Sequence, residues 1–268
     1  MNSVAIIGVG LIGGSFGLAL RKAGFAGRIV GVSSPATVEK ALRRGVIDAA
    51  QPLSEAATGA DFVYLAQPIQ RILDTLDVLD THVPPGTLIT DAGSTKAMIC
   101  ARAAATIRRG RFIGGHPMAG KESRGVEQAD ADLFRDRPYV LTSRDAQLES
   151  WIGRIGARLV ILDAAEHDRL VAFVSHLPQL LSTALASAVG DVPEATPVAG
   201  PAAADLTRLA LSPYDIWRYI FVTNAAPIDA ALAAYIAKLE QLRAQLRSAG
   251  MEQVFDNAAA SARRLRRG

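Results

Sequence analysis

The sequence has little cysteine and little net charge, and each shortage excludes a class of protein. A single cysteine, Cys100, rules out an internal disulfide and indicates a reducing compartment. The formal net charge is only +3, and the one basic cluster, at the C-terminus, is interpreted as a solvated helix end. We therefore expect no nucleic-acid partner. The histidines and the cysteine form no close-set cluster, so no metal site is predicted.

Targeting and membrane signals are also missing. Residues 1–20 begin with a strand pattern and lack a basic leader and a cleavage site, which argues against a signal peptide. We find no apolar run of the length that a bilayer span needs. The sequence therefore predicts a soluble, cytoplasmic protein with no membrane partner.

The arrangement of apolar segments changes near residue 164. Residues 1–164 alternate apolar strands with helices, which is typical of a parallel sheet covered on both faces, whereas residues 165–268 are rich in Ala and Leu with helical periodicity. We predict an α/β fold, with an N-terminal Rossmann domain and an all-α C-terminal domain that dimerises through its surplus apolar surface. Predicted strands are 4–8, 28–32, 61–66, 87–90, 112–115, 139–142 and 158–162; predicted helices are 11–23, 36–44, 69–79, one from Thr95, 166–190, 213–224, 227–248 and 250–266.

Three glycines follow the first predicted strand in the segment IIGVGLIGGS. Gly8 permits the tight turn, Gly10 lets the backbone approach a pyrophosphate, and Gly13 lets the helix pack closely on the strand. The free amides at the start of the helix then face the phosphates. A purely structural turn is the alternative. The predicted cofactor-binding residues are Gly8, Gly10, Leu11, Ile12, Gly13, Ser33, Ser34, Thr37, Ala66 and Pro68.

The end of the second predicted strand indicates which dinucleotide binds. An acidic residue there would hydrogen-bond the ribose 2′-hydroxyl of NAD, but this strand is followed by hydroxyl residues and no acid. Ser33, Ser34 and Thr37 are able to donate to a 2′-phosphate, and Arg43 or Arg44 is expected to fold back toward it. We therefore predict NADP or NAD as the cofactor, with NADP slightly favoured.

Three further stretches carry polar groups at positions suited to an active site. They are DAGSTK at 91–96, GGHPMAG at 114–120 and VSHLPQ at 174–179. The first two follow predicted strands, where an open α/β sheet binds its ligands. Glycines and a proline surround His116, which suits an imidazole fixed close to a ligand; a histidine that only ties a loop is the alternative.

These motifs resemble the prephenate/arogenate dehydrogenase (TyrA) family of tyrosine biosynthesis. GVGLIGGS, DAGSTK, GGHPMAGKESRGVE, EHD, SHLP and DLTRLA occur in the family's order and cover nearly the whole chain. The resemblance implies oxidative decarboxylation of prephenate or arogenate with NAD(P)⁺, giving 4-hydroxyphenylpyruvate or tyrosine. Because the chain ends at Gly268, we expect no regulatory domain, and any feedback by tyrosine would be competition at the active site.

Three other functions stay open. A hydroxyacid or 6-phosphogluconate type of dehydrogenase shares the two-domain plan but places a catalytic lysine on the helical domain. A relative in specialised metabolism would act on an amino-substituted prephenate. A non-catalytic NADP-sensing protein would need the glycine turn but none of the polar stretches.

The resemblance implies catalytic roles for three residues. His116 is the base that takes the hydroxyl proton, Ser94 orients it and the hydroxyl, and His176 positions the substrate. Ser94 is also a candidate helix N-cap. Lys96 is interpreted as a structural lysine at the helix start. His167 lies nine residues before His176, half a turn out of phase, so we expect it to face elsewhere with a structural or cleft-edge role.

The resemblance also implies three substrate-binding residues. Arg208 would grip a carboxylate, unless it pairs with Asp205 on the helix surface. Glu122 either gates the cleft, pairs with a cation there, or is a solvated loop acid. Gln179 stands where many relatives have histidine, on the helix face expected to look into the site, and Ala204 stands where relatives often have arginine. These departures leave the choice between prephenate and arogenate open.

Overall fold

The computed structural model describes residues 1–121, 123–248 and 250–266. The main sheet is parallel, as predicted, and its strand order is β3-β2-β1-β4-β5-β6. The order reverses direction between β1 and β4, and a doubly wound sheet binds its ligand at such a switch point. The strands are β1 (Ser3–Ile7), β2 (Arg28–Val32), β3 (Ala49–Ala50), β4 (Phe62–Leu65), β5 (Leu88–Asp91) and β6 (Arg111–Ile113).

A second sheet carries His116, which was expected to follow a strand and not to lie on one. It contains β7 (Gly115–Pro117), β8 (Pro138–Leu141) and β9 (Arg158–Ile161), with β7 antiparallel to β8 and β8 parallel to β9. The prediction of one strand over 112–115 is therefore wrong, because the chain leaves the main sheet after β6 and enters the second sheet at β7. The crossing is tight: a Cβ atom on Gly115 would lie 2.5 Å from the carbonyl oxygen of Asp91, so only glycine fits.

Helices cover the sheets in the first part of the chain. The helix over 69–79 and the strand over 28–32 have the predicted bounds, and most other ends shift by one or two residues. The elements of this part that were not predicted include β3, α3 (Leu53–Thr58) and α6 (Ala146–Arg154). The helices are α1 (Leu11–Lys22), α2 (Pro35–Arg43), α3 (Leu53–Thr58), α4 (Ile69–Leu79), α5 (Ala97–Thr106) and α6 (Ala146–Arg154).

The second part of the chain is helical in the described residues and packs on the α4–α5 side of the main sheet. Ala172, Leu177, Ile220 and Ile228 share an apolar cluster with side chains of β4, α4 and α5. A π-helical turn (Ala172–His176) joins the first two helices of this part. The helices are α7 (Ala164–Val171), α8 (Leu177–Gly190), α9 (Pro201–Thr207), α10 (Tyr214–Thr223), α11 (Ala225–Gln245) and α12 (Met251–Leu265).

The helical stretch Ala164–Gly190 is long and apolar enough to cross a membrane by length and composition. The expectation that no apolar run reaches this length is therefore wrong. The bent pair of α10 and α11, which meet at 97°, passes the same test only if taken as one span. Within Ala164–Gly190, however, His167, Asp168 and His176 are buried against other elements. One such helix is weak evidence for a membrane span.

Candidate active site

The glycine turn after β1 has the geometry of a dinucleotide-binding loop. Gly8 has φ +95°, and a Cβ atom there would lie 2.7 Å from the carbonyl oxygen of Ala66. A Cβ atom on Gly13 would lie 2.1 Å from the carbonyl oxygen of Gly8, so the helix packs directly on the turn. Gly10 faces open space, since a Cβ atom there would have no neighbour within 4 Å, and it precedes α1 without a side-chain cap. The first amides of α1 are therefore able to meet a phosphate.

The other predicted cofactor residues lie at the same edge of the sheet. Leu11 and Ile12 form the first turn of α1, Ala66 directly follows β4, and Pro68 precedes α4. All four lie at the carboxyl ends of β1 and β4, which flank the switch point. The structure thus brings this part of the predicted set together.

Hydroxyl groups follow β2, where the adenosine ribose would lie. Ser33 and Ser34 are exposed, and the hydroxyl oxygens of Ser34 and Thr37 are 2.9 Å apart. The expectation that an arginine folds back toward this site is wrong. Arg43 pairs with Glu39 one turn away, and Arg44 donates to backbone carbonyls of the 126–129 segment.

Histidines from both parts of the chain meet beside the β5 end of the sheet. Nδ1 of His116, on β7, lies 2.8 Å from Nε2 of His167, on α7. Nδ1 of His167 lies 2.8 Å from Oδ1 of Asp168. The Asp168 carboxylate also accepts the backbone N–H groups of Lys96 at 2.6 Å and Ala97 at 2.8 Å, which caps α5 from the helical part. These side chains are at most 9% exposed.

The contact between His167 and His116 corrects the expected role of His167. The prediction assumed a continuous α-helix from His167 to His176, which would point them apart. The π-helical turn before His176 breaks that phase, because each residue of a π-helix turns the chain by less than 100°. His167 belongs to the histidine cluster because α7 places its Nε2 against His116, and Asp168, which sequence reasoning missed, holds it. The EHD motif at 166–168 was the sequence signal that could have identified Asp168.

His176 is held by a different set of partners. Asn224 donates through Nδ2 both to the carbonyl oxygen of Asp168 at 2.9 Å and to Nδ1 of His176 at 3.1 Å. Since a carbonyl oxygen only accepts, the amide orientation is fixed and Nδ1 of His176 must be the acceptor. The proton of a neutral His176 then resides on Nε2. Trp217 packs edge-on to the ring, with centroids 6.1 Å apart.

Lys96 has the structural role that was predicted for it. Its ammonium group is fully buried, pairs with Asp91 at the end of β5 and donates to the carbonyl oxygen of Gly115 at 2.8 Å. Asp91 in turn accepts the N–H of Gly115 at 3.0 Å. The pair ties β5 to the residue before His116, and so fixes the strand that carries the imidazole.

Ser94 lies between β5 and α5 and is partly buried. The N-cap interpretation is wrong, because α5 begins at Ala97 and its N-terminal amides are capped by Asp168. Within the described residues, no hydrogen bond of the Ser94 hydroxyl to protein is present. That leaves the group available to a ligand.

The imidazole rings of His116 and His176 are both neutral at pH 7. Burial lowers the pKa of His116 well below its ordinary value of 6.5, and the neighbouring His167, Lys96 and His176 lower that pKa further. Burial likewise lowers the pKa of His176 to about 4, against the opposing effect of Asp168. A neutral imidazole at position 116 is able to accept a proton.

The predicted substrate-binding residues are only partly described. Gln179 is 4% exposed and donates through Nε2 to the carbonyl oxygen of Leu209 at 2.9 Å, while its Oε1 is buried without a protein partner in the described parts of the chain. Arg208 is exposed and directly precedes Leu209, so its backbone lies close to Gln179. Glu122 lies outside the described residues.

Models of two protein domains match most of the chain. The nucleotide-binding domain of prephenate dehydrogenase matches residues 16–162, and the dimerization domain of prephenate dehydrogenase matches residues 163–258. A prephenate dehydrogenase of Lactococcus lactis subsp. cremoris is 38% identical over 231 residues, covering 84% of this chain and 65% of that relative. The chain thus spans just under two thirds of that relative's length.

Solved structures of prephenate and arogenate dehydrogenases are similar to this chain over nearly its full length. Prephenate dehydrogenase from A. aeolicus, in complex with hydroxyphenyl propionate and NAD⁺, superposes with a TM-score of 0.90 at 29% identity. The match covers 100% of this chain and 99% of that one. Synechocystis arogenate dehydrogenase superposes with a TM-score of 0.86 at 30% identity, covering 98% and 99% of the two chains.

Proposed function

Because the chain belongs to the prephenate dehydrogenase family, we propose that it is an NAD(P)-dependent dehydrogenase that oxidatively decarboxylates prephenate or arogenate in tyrosine biosynthesis. The observation that carries the proposal is the His116 site. Nε2 of His116 has no hydrogen-bond partner in the described chain and is not among its fully buried unpartnered atoms, so part of its surface is accessible. A neutral imidazole nitrogen of this kind suits a general base.

The reaction needs a base beside the substrate hydroxyl and a hydride acceptor beside the ring carbon that bears it. As the hydroxyl-bearing ring carbon becomes a carbonyl, Nε2 of His116 takes the hydroxyl proton. A dinucleotide held at the glycine turn would supply the acceptor for the hydride from that carbon. The bond to the ring carboxylate then breaks, carbon dioxide leaves, and the electron pair completes the aromatic ring. His116 returns the proton to the oxygen, so that the product is a phenol.

The remaining site residues orient the substrate. In this proposal, Ser94 holds the hydroxyl beside His116, and His176 donates from Nε2 to the substrate. Arg208 pairs with a carboxylate, and Glu122 gates the cleft. Aromatisation supplies much of the driving force, so orientation and one base are sufficient.

The glycine turn would hold the cofactor pyrophosphate at the start of α1. The fit rests on the open space at Gly10 and on the uncapped first turn. We propose that both NADP and NAD bind, with NADP slightly favoured, because Ser33, Ser34 and Thr37 present hydroxyl groups and no carboxylate after β2. The set of Gly8, Gly10, Leu11, Ile12, Gly13, Ser33, Ser34, Thr37, Ala66 and Pro68 is retained as the proposed cofactor site.

The amide of Gln179 supports arogenate over prephenate. Its Nε2 is occupied by Leu209 and by the Thr183 hydroxyl at 3.3 Å, so the unpartnered group is the acceptor Oε1. An ammonium group on the substrate side chain would satisfy that oxygen once a movement of the chain opens it to the cleft, because Oε1 is fully buried here, whereas a pyruvyl keto group offers no proton. Leaving such a buried acceptor unpaired costs about 1–3 kcal/mol.

We further propose a cytoplasmic homodimer, with the domain boundary after residue 164. The helical part exposes several large apolar side chains, which a second copy would cover. They include Val198, Leu206, Leu211, Val222 and Phe255. Size-exclusion chromatography with light scattering tests this, and a mass of one chain would contradict it.

A kinetic grid tests the function. Prephenate and arogenate are each assayed with NAD⁺ and NADP⁺, following the reduced nicotinamide. We expect turnover, with the highest kcat/KM for arogenate and NADP⁺. Gln179→Leu should lower kcat/KM for arogenate by about 10-fold, on the magnitude of one lost hydrogen bond, and leave prephenate nearly unchanged. No turnover with either substrate, alongside intact nucleotide binding, would contradict the proposal.

A further inference from the structure

We propose that Asp168 and His167 are positioning residues that fix the tautomer of His116, so that its lone pair is on Nε2, facing the reacting hydroxyl. The proposal rests on the proposed function for its catalytic meaning. The structural part, which nitrogen of His116 carries the proton, stands on the hydrogen-bond geometry and is tested without turnover.

The chain of hydrogen bonds starts from the Asp168 carboxylate. An ionised carboxylate only accepts hydrogen bonds, and both of its oxygens already accept backbone N–H groups from Lys96 and Ala97. Oδ1 also lies 2.8 Å from Nδ1 of His167. Nδ1 of His167 must therefore be a donor and carry a proton.

The second step passes through the ring of His167. In a neutral imidazole with its proton on Nδ1, Nε2 holds the lone pair. That nitrogen lies 2.8 Å from Nδ1 of His116, so Nδ1 of His116 must donate to it. The neutral His116 ring then has no proton on Nε2, and this is the nitrogen whose surface is partly accessible. The alternative is an imidazolium at His167, which would donate to Nδ1 of His116 and leave Nε2 protonated and unable to act as a base.

The charges around the cluster disfavour that imidazolium. The ammonium of Lys96 is fully buried nearby, and Asp91 is its paired carboxylate. The charge of Asp168 is partly compensated by the N-terminus of α5, and the other neighbour, His176, is neutral at pH 7. An imidazolium at His167 would have only Asp168 as its partner, because Asp91 is taken by Lys96 and the charge of Asp168 is already shared with two backbone N–H groups of α5.

The result is a pair of imidazoles with opposite tautomers. Nε2 of His116 accepts, whereas Asn224 forces Nε2 of His176 to donate. When Nε2 of His116 takes the substrate proton, the positive charge spreads to its Nδ1–H, and His167 with Asp168 stabilises that charge. A buried carboxylate does the same for the catalytic histidine of serine proteases.

Nitrogen NMR of histidine-labelled protein tests the tautomers directly. The chain has four histidines, so single substitutions assign every signal, with His82→Gln as the assignment control outside the site. In the unaltered protein at neutral pH, we expect His116 protonated on Nδ1, His167 on Nδ1 and His176 on Nε2. A spectrum with the His116 proton on Nε2 would overturn the proposal and needs no folded variant at position 167.

Substitution of His167 adds a kinetic readout. His167→Gln places an amide oxygen near the position of Nε2 and keeps an acceptor for His116, whereas His167→Leu removes it. We expect kcat to fall by about 10- to 100-fold in His167→Leu, less than on removal of the base, with partial recovery in His167→Gln. The cofactor dissociation constant should stay unchanged, and the His116 proton should spread over both nitrogens in His167→Leu.

Failure of the positioning role and failure of the proposed function give different results. Wild-type kcat together with an unchanged His116 tautomer in a folded His167→Leu protein would overturn the positioning role. Absence of wild-type turnover on both substrates would instead refute the proposed function, while the spectrum would still decide the tautomer.

Discussion

The buried pair of Lys96 and Asp91 allows one prediction to be worked out in energy. Lys96→Met keeps most of the side-chain volume but leaves the Asp91 carboxylate in a fully buried site without its cation. Breaking a buried ion pair on one side costs about 3–5 kcal/mol. Asp91 keeps two backbone donors, Gly93 at 2.8 Å and Gly115 at 3.0 Å. We therefore expect the lower end, a loss of about 3 kcal/mol in the free energy of unfolding.

Urea unfolding followed by circular dichroism measures this loss, at one fixed protein concentration because dimerisation would also change stability. Lys22→Met is the matched control, since Lys22 pairs with Asp132 at the surface and should lose less than about 1 kcal/mol. Adding Asp91→Asn to Lys96→Met removes the stranded charge, so the double variant should lose less than the sum of the two single variants. A loss in Lys96→Met no larger than in the control would refute the reasoning.

Three further predictions follow from the turn and the histidines. Gly10→Ala should keep the melting temperature and weaken dinucleotide binding. Gly13→Ala should lower the melting temperature, because its Cβ would lie 2.1 Å from the carbonyl oxygen of Gly8. Thermal unfolding and nucleotide titration distinguish the two effects. Since the folded pKa of His176 is about 4 against 6.5 unfolded, its stabilisation is present above pH 6.5 and is lost as the pH falls toward 4, by at most about 3 kcal/mol in urea unfolding. The lowered pKa of His116 predicts that kcat/KM stays level as the pH falls through 6.5, and a pH profile with its acid limb at 6.5 or above would contradict this.

The sequence predicted those features that depend on local pattern. The strand-glycine-helix segment around Gly8, the alternation of strands and helices, and the helical second part all follow from periodicity and turn residues. The short elements β3, α3 and α6 were missed because a two-residue strand and helices of six to nine residues leave little periodic signal. The break between β6 and β7 was missed because each strand has only three residues, too few for a periodic signal.

The site was predicted in its residue types more than in its connections. His116 and His176 were chosen for their motifs, but the link from His116 through His167 to Asp168 depends on where α7 packs against β7, which no local pattern indicated. Asp168 was missed for a related reason: it caps a helix 72 residues earlier in the chain. Only the packing of the helical part on the sheet brings these groups together.

The most direct test of the account is a comparison of wild type with His116→Gln. Dinucleotide binding is measured first by titration, and kcat is then measured with arogenate and prephenate at saturating cofactor. We predict an unchanged dissociation constant for the dinucleotide and a kcat lower by roughly 10²–10⁴-fold, the range expected for loss of a general base. A kcat equal to that of the wild type would contradict the assignment of His116 as the base.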